Sequence, residues 1–305
     1  MERNQFEFVS LDELASEHIT APHYSYWRSV FRKFLSSKVT VFVMIIALLV
    51  VGFSMIYPFF SHYDPLVAPN INNLSSWFNK PSSTLWFGTD DKGNSLFDAV
   101  WSGMRVSLLV AFITTAITTV IGVIVGAFWG YSKKIDRVMM EIYNVVANVP
   151  FQLLVIIIMY VIGRGFWQLI FALSITSWLS TAFFIRVQVM IIRDREHNLA
   201  SRCLGTPVPR MITRNILPYL ISVIVTLVSR DIPMYISLEV FLSYLGIGLN
   251  QATPSIGRMI SSYNSYMVNY PYLFWLPVGT LAIVTISLYV VGQALADASD
   301  PKTHM

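Results

Sequence analysis

Long apolar runs alternate along this chain with short polar segments. Six runs hold about 20 residues with few charges, enough to cross a hydrocarbon core of about 30 Å as a helix; they cover residues 39–60, 106–131, 145–163, 166–185, 217–242 and 272–295. Only Arg164 and Gly165 separate the third run from the fourth, which indicates a tight helical hairpin. The pattern predicts an all-α integral membrane protein with six transmembrane helices.

Positive charge is concentrated on one side of these runs. Lysines and arginines precede the first run, follow the second and crowd the segment between the fourth and the fifth, which holds Arg186, Arg193, Arg195, Arg202, Arg210 and Arg214. The other side carries only Lys80, Lys92, Arg164 and Arg258. Because cytoplasmic loops are enriched in Lys and Arg, both termini and the fourth-to-fifth segment are predicted to be cytoplasmic.

The composition supports a membrane protein and excludes several other classes. The 305 residues are 55% hydrophobic and 12% charged, whereas a soluble domain is about a quarter charged. The net charge of +4 is not gathered into a stripe that would bind nucleic acid. Cys203 is the only cysteine, so an intrachain disulfide cannot form.

The runs divide the chain into five predicted parts. Residues 1–37 form a cytoplasmic segment, residues 38–60 the first transmembrane helix, and residues 61–102 an extracytoplasmic loop. Residues 103–298 form a core of five helices, and residues 299–305 a cytoplasmic tail.

Two polar segments have a particular character. Residues 26–38 place apolar and basic residues on opposite helical faces, which predicts a helix in the membrane interface; a short soluble helix on a partner is the alternative. The outer loop contains aromatic residues that predict an interfacial belt or, alternatively, a docking surface for an external binding protein: Trp77, Phe78, Trp86, Phe87 and Trp101.

Motifs for chemistry on a substrate are absent from the sequence. It contains no P-loop, no H-E-x-x-H, no G-x-S-x-G and no cluster of cysteines and histidines. We therefore expect transport rather than catalysis, with no cofactor and no metal held by this chain.

The stretch EHNLASRCLGTPVPRMITRNILPYL, residues 196–220, interrupts the apolar pattern. Glu196, Ala200 and Cys203 recur at helical spacing, and Gly205 permits a turn with positive φ. Prolines prevent the helix from continuing, and a second helical stretch then leads to Pro218. We expect a compact helix–turn–helix that projects from the membrane towards a partner; the alternative is that Gly205 merely ends a helix.

This stretch resembles the EAA loop of permease subunits in binding-protein-dependent ABC importers, in the form used by oligopeptide and dipeptide systems. The matching positions are Glu196, Ala200, Ser201, Gly205, Ile216, Leu217 and Pro218. Two positions depart from the pattern: Leu199 stands where an acidic residue usually precedes the paired small residues, and Ser201 replaces the second alanine of that pair. Three further stretches, starting at Phe87, Leu245 and Gly292, also resemble the family, so the likeness runs from Trp27 to Lys302.

The resemblance implies a type I ABC importer permease fold and a place in a bacterial plasma membrane. It implies a coupling loop at residues 186–217, a second homologous permease, two cytoplasmic ATPase subunits that bind ATP and Mg, and an extracytoplasmic substrate-binding protein. The implied function is uptake of oligopeptides or dipeptides, without an ATPase site in this chain. Nickel or another small solute is the alternative within the family; a gradient-driven secondary transporter and a purely structural membrane subunit are the alternatives outside it.

The fifth run carries three ionisable residues, Arg230, Asp231 and Glu239. Such groups are costly at membrane depth and usually face a cavity or a partner. They are predicted either to line a translocation pathway or to lock this span to a neighbour by an ion pair. A position of Glu239 near the outer interface is a further alternative.

Overall fold

A computed structural model describes residues 26–61, 63–67 and 72–299 of the chain. The predicted cytoplasmic segment before residue 26 and the tail after residue 299 lie outside the described residues. Ten helices are named here: α1 Tyr26–Phe34, α2 Lys38–Ile56, α3 Leu96–Tyr131, α4 Lys133–Ala147, α5 Phe151–Ile162, α6 Phe166–Arg193, α7 Glu196–Cys203, α8 Val208–Tyr244, α9 Ile256–Tyr263 and α10 Pro271–Ser299.

Five helical stretches within the described ranges are long and apolar enough to cross a membrane. They are Lys38–Phe59, which is α2 with a short 3₁₀ turn, together with α3, α6, α8 and α10. Their positions confirm five of the six predicted runs. Helix α3 begins at Leu96, inside the predicted outer loop, because the Ser95 hydroxyl accepts a hydrogen bond from the backbone N–H of Asp98 and caps the helix.

The third predicted run is not one continuous helix, so the prediction of a single helix over residues 145–163 is wrong. Helix α4 ends at Ala147, and α5 begins at Phe151 after a bend of 82°. Pro150 lacks an amide hydrogen and disfavours a helical conformation at the residue before it, which accounts for the break. Helix α5 has 12 residues, or about 18 Å, so the described residues contain a sixth span only if the bent pair counts as one.

The predicted hairpin between the third and fourth runs is confirmed. Helix α5 ends at Gly163, whose φ of 89° turns the chain, and α6 begins at Phe166. The two helices share an apolar cluster in which Val155 and Met159 of α5 meet Leu169 and Leu173 of α6.

Helices α3 and α6 form the closest pair in the described bundle. Three glycines at four-residue spacing, Gly122, Gly126 and Gly130, let the two backbones approach directly. A Cβ atom on Gly126 would lie 2.4 Å from the carbonyl oxygen of Ala182, and one on Gly130 would lie 2.5 Å from that of Arg186. Small residues at this spacing are a recurring means of packing helices in lipid, where burial of apolar surface gives little driving force.

Helix α1 packs against the last turns of α10. Val30 and Phe34 are buried there in one apolar cluster with Ala298, and the Tyr26 hydroxyl donates to the carbonyl oxygen of Ser299 at 2.8 Å. Trp27 and Phe31, from the same predicted apolar face, stay exposed. This leaves an apolar surface beside the first span, as an interfacial helix requires.

The aromatic residues of the outer loop pack within the fold. Phe97 of α3 is surrounded by rings of α2, the loop and α3 itself: Phe53, Tyr57, Trp86, Phe87 and Trp101. Phe78 stacks on Tyr270 with ring centroids 4.2 Å apart. Of the predicted belt, Trp86 remains largely exposed.

Candidate coupling loop and intramembrane polar residues

The segment between α6 and the apolar part of α8 forms the helix–turn–helix that the sequence predicts. Helix α7 runs from Glu196 to Cys203, and Gly205 follows with a φ of 79°. Only glycine adopts that conformation without a steric penalty. Apart from its two chain neighbours, no residue of the described ranges lies within 4 Å of a Cβ placed on Gly205, and Leu204 beside it is 87% exposed. The tip of the loop therefore projects away from the described bundle.

Polar side chains attach α7 to the bundle from its inner face. Asn198 is buried, and its Nδ2 donates to the carbonyl oxygen of Ile192 at 2.8 Å. Asn215 Nδ2 donates to the Ser201 hydroxyl at 3.2 Å. This bond joins α7 to the return helix, which is the first part of α8 at residues 208–220. The predicted paired small positions thus differ, because Ala200 is exposed whereas Ser201 faces inward.

The return helix is anchored by apolar burial. Met211–Ile216 is π-helical and Leu217–Leu220 is 3₁₀-helical before the regular α-helix resumes. Pro218 lies in the first turn of the 3₁₀ segment, where the missing amide hydrogen of proline costs no hydrogen bond within that segment. Ile216 is buried in a cluster contributed by α3, α6 and α8, whereas Leu217 packs at its edge. The base of the loop therefore packs against the ends of three spanning helices.

Two arginines of α6 bind backbone or carboxylate groups at the same end of the bundle. Arg193 Nη1 donates to the carbonyl oxygen of Gly130 at 2.8 Å, which satisfies the C-terminal end of α3. Its Nε also pairs with Asp194 at 3.0 Å, and hydrogen bonding by this arginine lowers the pKa of Asp194. Arg186 pairs with Asp136 of α4 through two nitrogens, at 2.5 and 3.0 Å.

Asp136 is a position that the sequence reasoning missed. Besides the two bonds from Arg186, it accepts a hydrogen bond from Trp129 Nε1 at 2.9 Å, so one carboxylate joins α3, α4 and α6. It lies one turn into a basic amphipathic helix, where a carboxylate commonly interacts favourably with the helix N-terminus. Nothing local therefore distinguished it from an ordinary surface residue.

Arg230 and Asp231 form an ion pair at 3.2 Å but point to different surroundings. The Arg230 side chain is 62% exposed and lines a shallow groove with residues of α10, including Thr285 and Tyr289. The Asp231 side chain is 3% exposed and lies inside the bundle. Pro233 follows two residues later without ending the helix.

Glu239 is completely buried and is surrounded by three serine hydroxyls. Ser243 donates to its Oε1 at 2.8 Å, Ser255 donates to the same oxygen at 2.9 Å, and Ser107 donates to Oε2. The serines belong to α3, α8 and the start of α9, so the carboxylate links three segments. Carboxylates in apolar surroundings need such donors, because an unsatisfied one is costly. The three serines were missed by the sequence reasoning, since Ser107 is 132 residues away in the chain.

Hydroxyl groups continue the polar character between α3, α6 and α8. The Tyr235 hydroxyl donates to that of Thr118 at 3.4 Å. Buried hydroxyls of Thr114, Thr115 and Ser174 have no hydrogen-bond partner within the described residues. Glu239 and Asp231 thus have buried side chains inside an otherwise apolar bundle, and Glu239 takes no part in the Arg230–Asp231 pair.

Spanning helices that carry a projecting loop at their basic end define a multi-pass membrane protein of the transport permease class. Residues 119–305 match the family model of the binding-protein-dependent transport system inner membrane component. Residues 25–81 match the N-terminal TM domain of oligopeptide transport permease C.

Curated proteins show the same relationship over the full length. The oligopeptide transport system permease protein AmiD of Streptococcus pneumoniae is 51% identical, covering 100% of this chain and 99% of that protein. The oligopeptide transport system permease protein OppC of Bacillus subtilis is 33% identical over 98% of this chain and 97% of its own, and the dipeptide transport system permease protein DppC of the same organism is 31% identical over 94% and 89%. The chain therefore belongs to the family of binding-protein-dependent transport system inner membrane components, and it is a multi-pass permease subunit of a bacterial plasma membrane.

Proposed function

We propose that this chain is one of two permease subunits in an ATP-driven importer of oligopeptides or dipeptides. The complex would contain a second homologous permease, two cytoplasmic ATPase subunits that bind ATP and Mg, and an external substrate-binding protein. This chain would bind no nucleotide itself. Its full-length similarity to peptide permeases supports the choice of substrate.

The coupling role is supported by the way the cytoplasmic loop packs on the spanning helices. The loop tip around Gly205 is exposed, whereas its base is buried against the ends of α3, α6 and α8. Movement of the tip during closure of an ATPase pair would therefore displace the ends of three spanning helices together. Alternating access needs such a rigid lever on a bundle with two stable arrangements.

Gly205→Trp tests the coupling role. Apart from its two chain neighbours, no described residue lies within 4 Å of the new Cβ, and the backbone strain of a side chain at positive φ is shared by the control below, so a difference between the two variants reports a partner at the loop. We expect the complex to assemble in the membrane and to hydrolyse ATP while peptide uptake is lost. Gly163→Trp is the matched control, because Gly163 also has positive φ and open space but lies at the α5–α6 hairpin. Normal uptake by assembled Gly205→Trp complexes would contradict the role.

The complex itself is tested by purification and reconstitution. A tagged chain, isolated in mild detergent, should retain a second permease and one or two P-loop ATPases identified by mass spectrometry. Proteoliposomes with the binding protein should then accumulate tri-alanine only when ATP is supplied. ATP-driven accumulation of nickel instead would assign the metal-ion alternative, and isolation of the chain alone, with uptake driven by an ion gradient, would refute the importer function.

A further inference from the structure

A polar cleft lies on the side opposite the coupling loop. Its volume is about 360 Å³, within the range of about 300–1,000 Å³ that is common for small-molecule sites. The outer loop forms one wall, and the α8–α9 connection with α9 forms the other; the lining includes Asp91, Lys92, Arg258 and Ser262. The cleft is therefore assembled from two segments that lie more than 150 residues apart in the chain.

The cleft contains charges of both signs that are not paired with each other. Within residues 26–61, 63–67 and 72–299, none of Asp91, Lys92 and Arg258 takes part in an ion pair within 4.0 Å. Asp91 and Arg258 are half-buried, and burial raises the pKa of the Asp91 carboxyl and lowers the pKa of the Arg258 guanidinium. Each charge is thus kept partly out of water without an ion pair in direct contact, although Lys92 lowers the pKa of Asp91 from a greater distance.

Each of these two charged groups is held from one side only. Asp91 Oδ2 accepts a hydrogen bond from the Tyr266 hydroxyl at 3.4 Å, and Arg258 Nη1 donates to the carbonyl oxygen of Asn250 at 2.5 Å. These bonds fix the carboxylate and the guanidinium while leaving further acceptor and donor capacity in both groups.

Asp90 differs from Asp91 and serves the fold. Its Oδ1 accepts from the backbone amides of Lys92 and Asn94, at 2.9 and 2.8 Å. Its Oδ2 accepts from Asn94 Nδ2 and from the Tyr263 hydroxyl, at 3.2 and 3.3 Å. Asp90 is buried and fully engaged, so it shapes the wall of the cleft, and Asp91 is the carboxylate left for a ligand.

We propose that this cleft is a subsite for the transported peptide at the outer mouth of the permease. Asp91 binds the N-terminal ammonium group and Arg258 binds the C-terminal carboxylate. A zwitterion supplies an ion-pair partner to both groups at once, and a guanidinium can bind a carboxylate through two hydrogen bonds. A cleft of this volume suits a short peptide better than a docked protein, because stable protein interfaces bury more than about 1,000 Å². The inference rests on the peptide-importer function proposed above.

Protection of an engineered cysteine tests the subsite. The experiment uses the complete membrane complex in nanodiscs, without the binding protein, and with Cys203→Ser, because Cys203 is exposed. Ser262→Cys places a thiol in the cleft, and Ser261→Cys places one on the exposed neighbouring position of α9, outside the cleft lining. Both are labelled with a membrane-impermeant maleimide, with and without tri-alanine. At a peptide concentration about tenfold above its Kd, labelling of Ser262→Cys should slow about tenfold, because only the empty fraction reacts.

Charge variants and a blocked peptide test the assigned contacts. N-acetyl-tri-alanine amide lacks both terminal charges, and it should not protect Ser262→Cys. In the same background, Asp91→Asn and Arg258→Gln should each weaken protection by tri-alanine about 10- to 100-fold in apparent Kd, as expected for loss of a hydrogen bond between charged groups. Lys80→Gln removes an outer-loop charge that does not line the cleft, and it should change nothing.

Three outcomes would overturn the subsite. They are equal slowing by the blocked peptide, equal slowing at Ser261→Cys and Ser262→Cys, and protection by peptide-free binding protein alone, which would make the cleft a protein-docking surface. If tri-alanine gives no protection but ATP-driven uptake is intact, only this inference fails. If ATP-driven peptide uptake is itself absent, the proposed function fails first.

Discussion

Replacing Gly126 with alanine tests whether direct backbone contact holds α3 against α6. The added Cβ would lie 2.4 Å from the carbonyl oxygen of Ala182, 2.8 Å from Ile185 Cβ and 3.0 Å from Ala182 Cα. A flexible side chain could rotate away, but the carbonyl oxygen belongs to the backbone of α6. The helices must therefore separate.

The size of the effect follows from that separation. Carbon and oxygen atoms that are not bonded stay about 3 Å or more apart, so α3 and α6 must move apart by about 0.6 Å. A gap of that size forfeits about a quarter to a half of the dispersion energy of each contact across it. Alanine also gains about 1 kcal/mol over glycine in a helix interior. Overpacking of about 1–3 kcal/mol then leaves a net loss of up to about 2 kcal/mol.

The assay is unfolding of the purified chain in detergent, followed by circular dichroism during titration with a denaturing detergent. Gly279→Ala is the matched control, because Gly279 is helical and a Cβ there would meet nothing within 4 Å. Both variants gain the same helix propensity, so the difference between them isolates the clash. We expect Gly126→Ala to be about 1–3 kcal/mol less stable than Gly279→Ala. Equal stability of the two variants would refute direct backbone packing of α3 on α6.

Three further predictions concern the polar contacts. Ser107→Ala removes one of three hydrogen-bond donors to Glu239 and should cost about 1–3 kcal/mol in the same assay. Ser287→Ala is the control: it loses only a bond to the helical carbonyl of Val284 and should be near neutral. Equal losses would argue against stabilisation of Glu239 by the serine hydroxyls. Asp136→Asn should cost about 1–3 kcal/mol, because it leaves the half-buried Arg186 without its counter-charge; the exposed Glu141→Gln is the control, and a neutral Asp136→Asn would contradict a structural role. Arg193 lowers the pKa of Asp194, so their pair stabilises the fold above the pKa of the unfolded carboxyl, and this stabilisation is lost as the pH falls through the lower folded pKa. Asp194→Asn should therefore flatten the acid side of the plot of stability against pH. An unchanged plot would show that the pair contributes nothing.

The family and the membrane topology could be predicted because they depend on local pattern. Apolar runs of sufficient length, their flanking arginines and the Gly-Pro turn after α7 are all readable from neighbouring residues. Gly205 illustrates the point: its positive φ is required by a helix end followed by prolines, whatever the rest of the chain does.

Other features could not be predicted because they depend on which helices meet. The glycines at 122, 126 and 130 stand in an apolar run, where small residues are common. Their role in close backbone packing depends on α6 lying against them, which the sequence does not show. Likewise, hydropathy alone gives residues 145–163 as one span. Pro150 indicates a break in the helix, because the residue before a proline disfavours the helical conformation, but the bend of 82° is seen only in the structure.

The sequence by itself determined that this chain is a membrane permease with a projecting cytoplasmic loop, because solvent preference and turn chemistry act over a few residues. Only the tertiary structure decided the surroundings of its charges. Arg230 and Asp231 are adjacent in the sequence, yet one is exposed and the other buried. Glu239 is held by hydroxyls from three segments, and Asp91 and Arg258 line one cleft although they are far apart in the chain. The physical reason is that the free energy of a charge depends on the dielectric and the hydrogen-bond donors around it, and distant parts of the chain supply both.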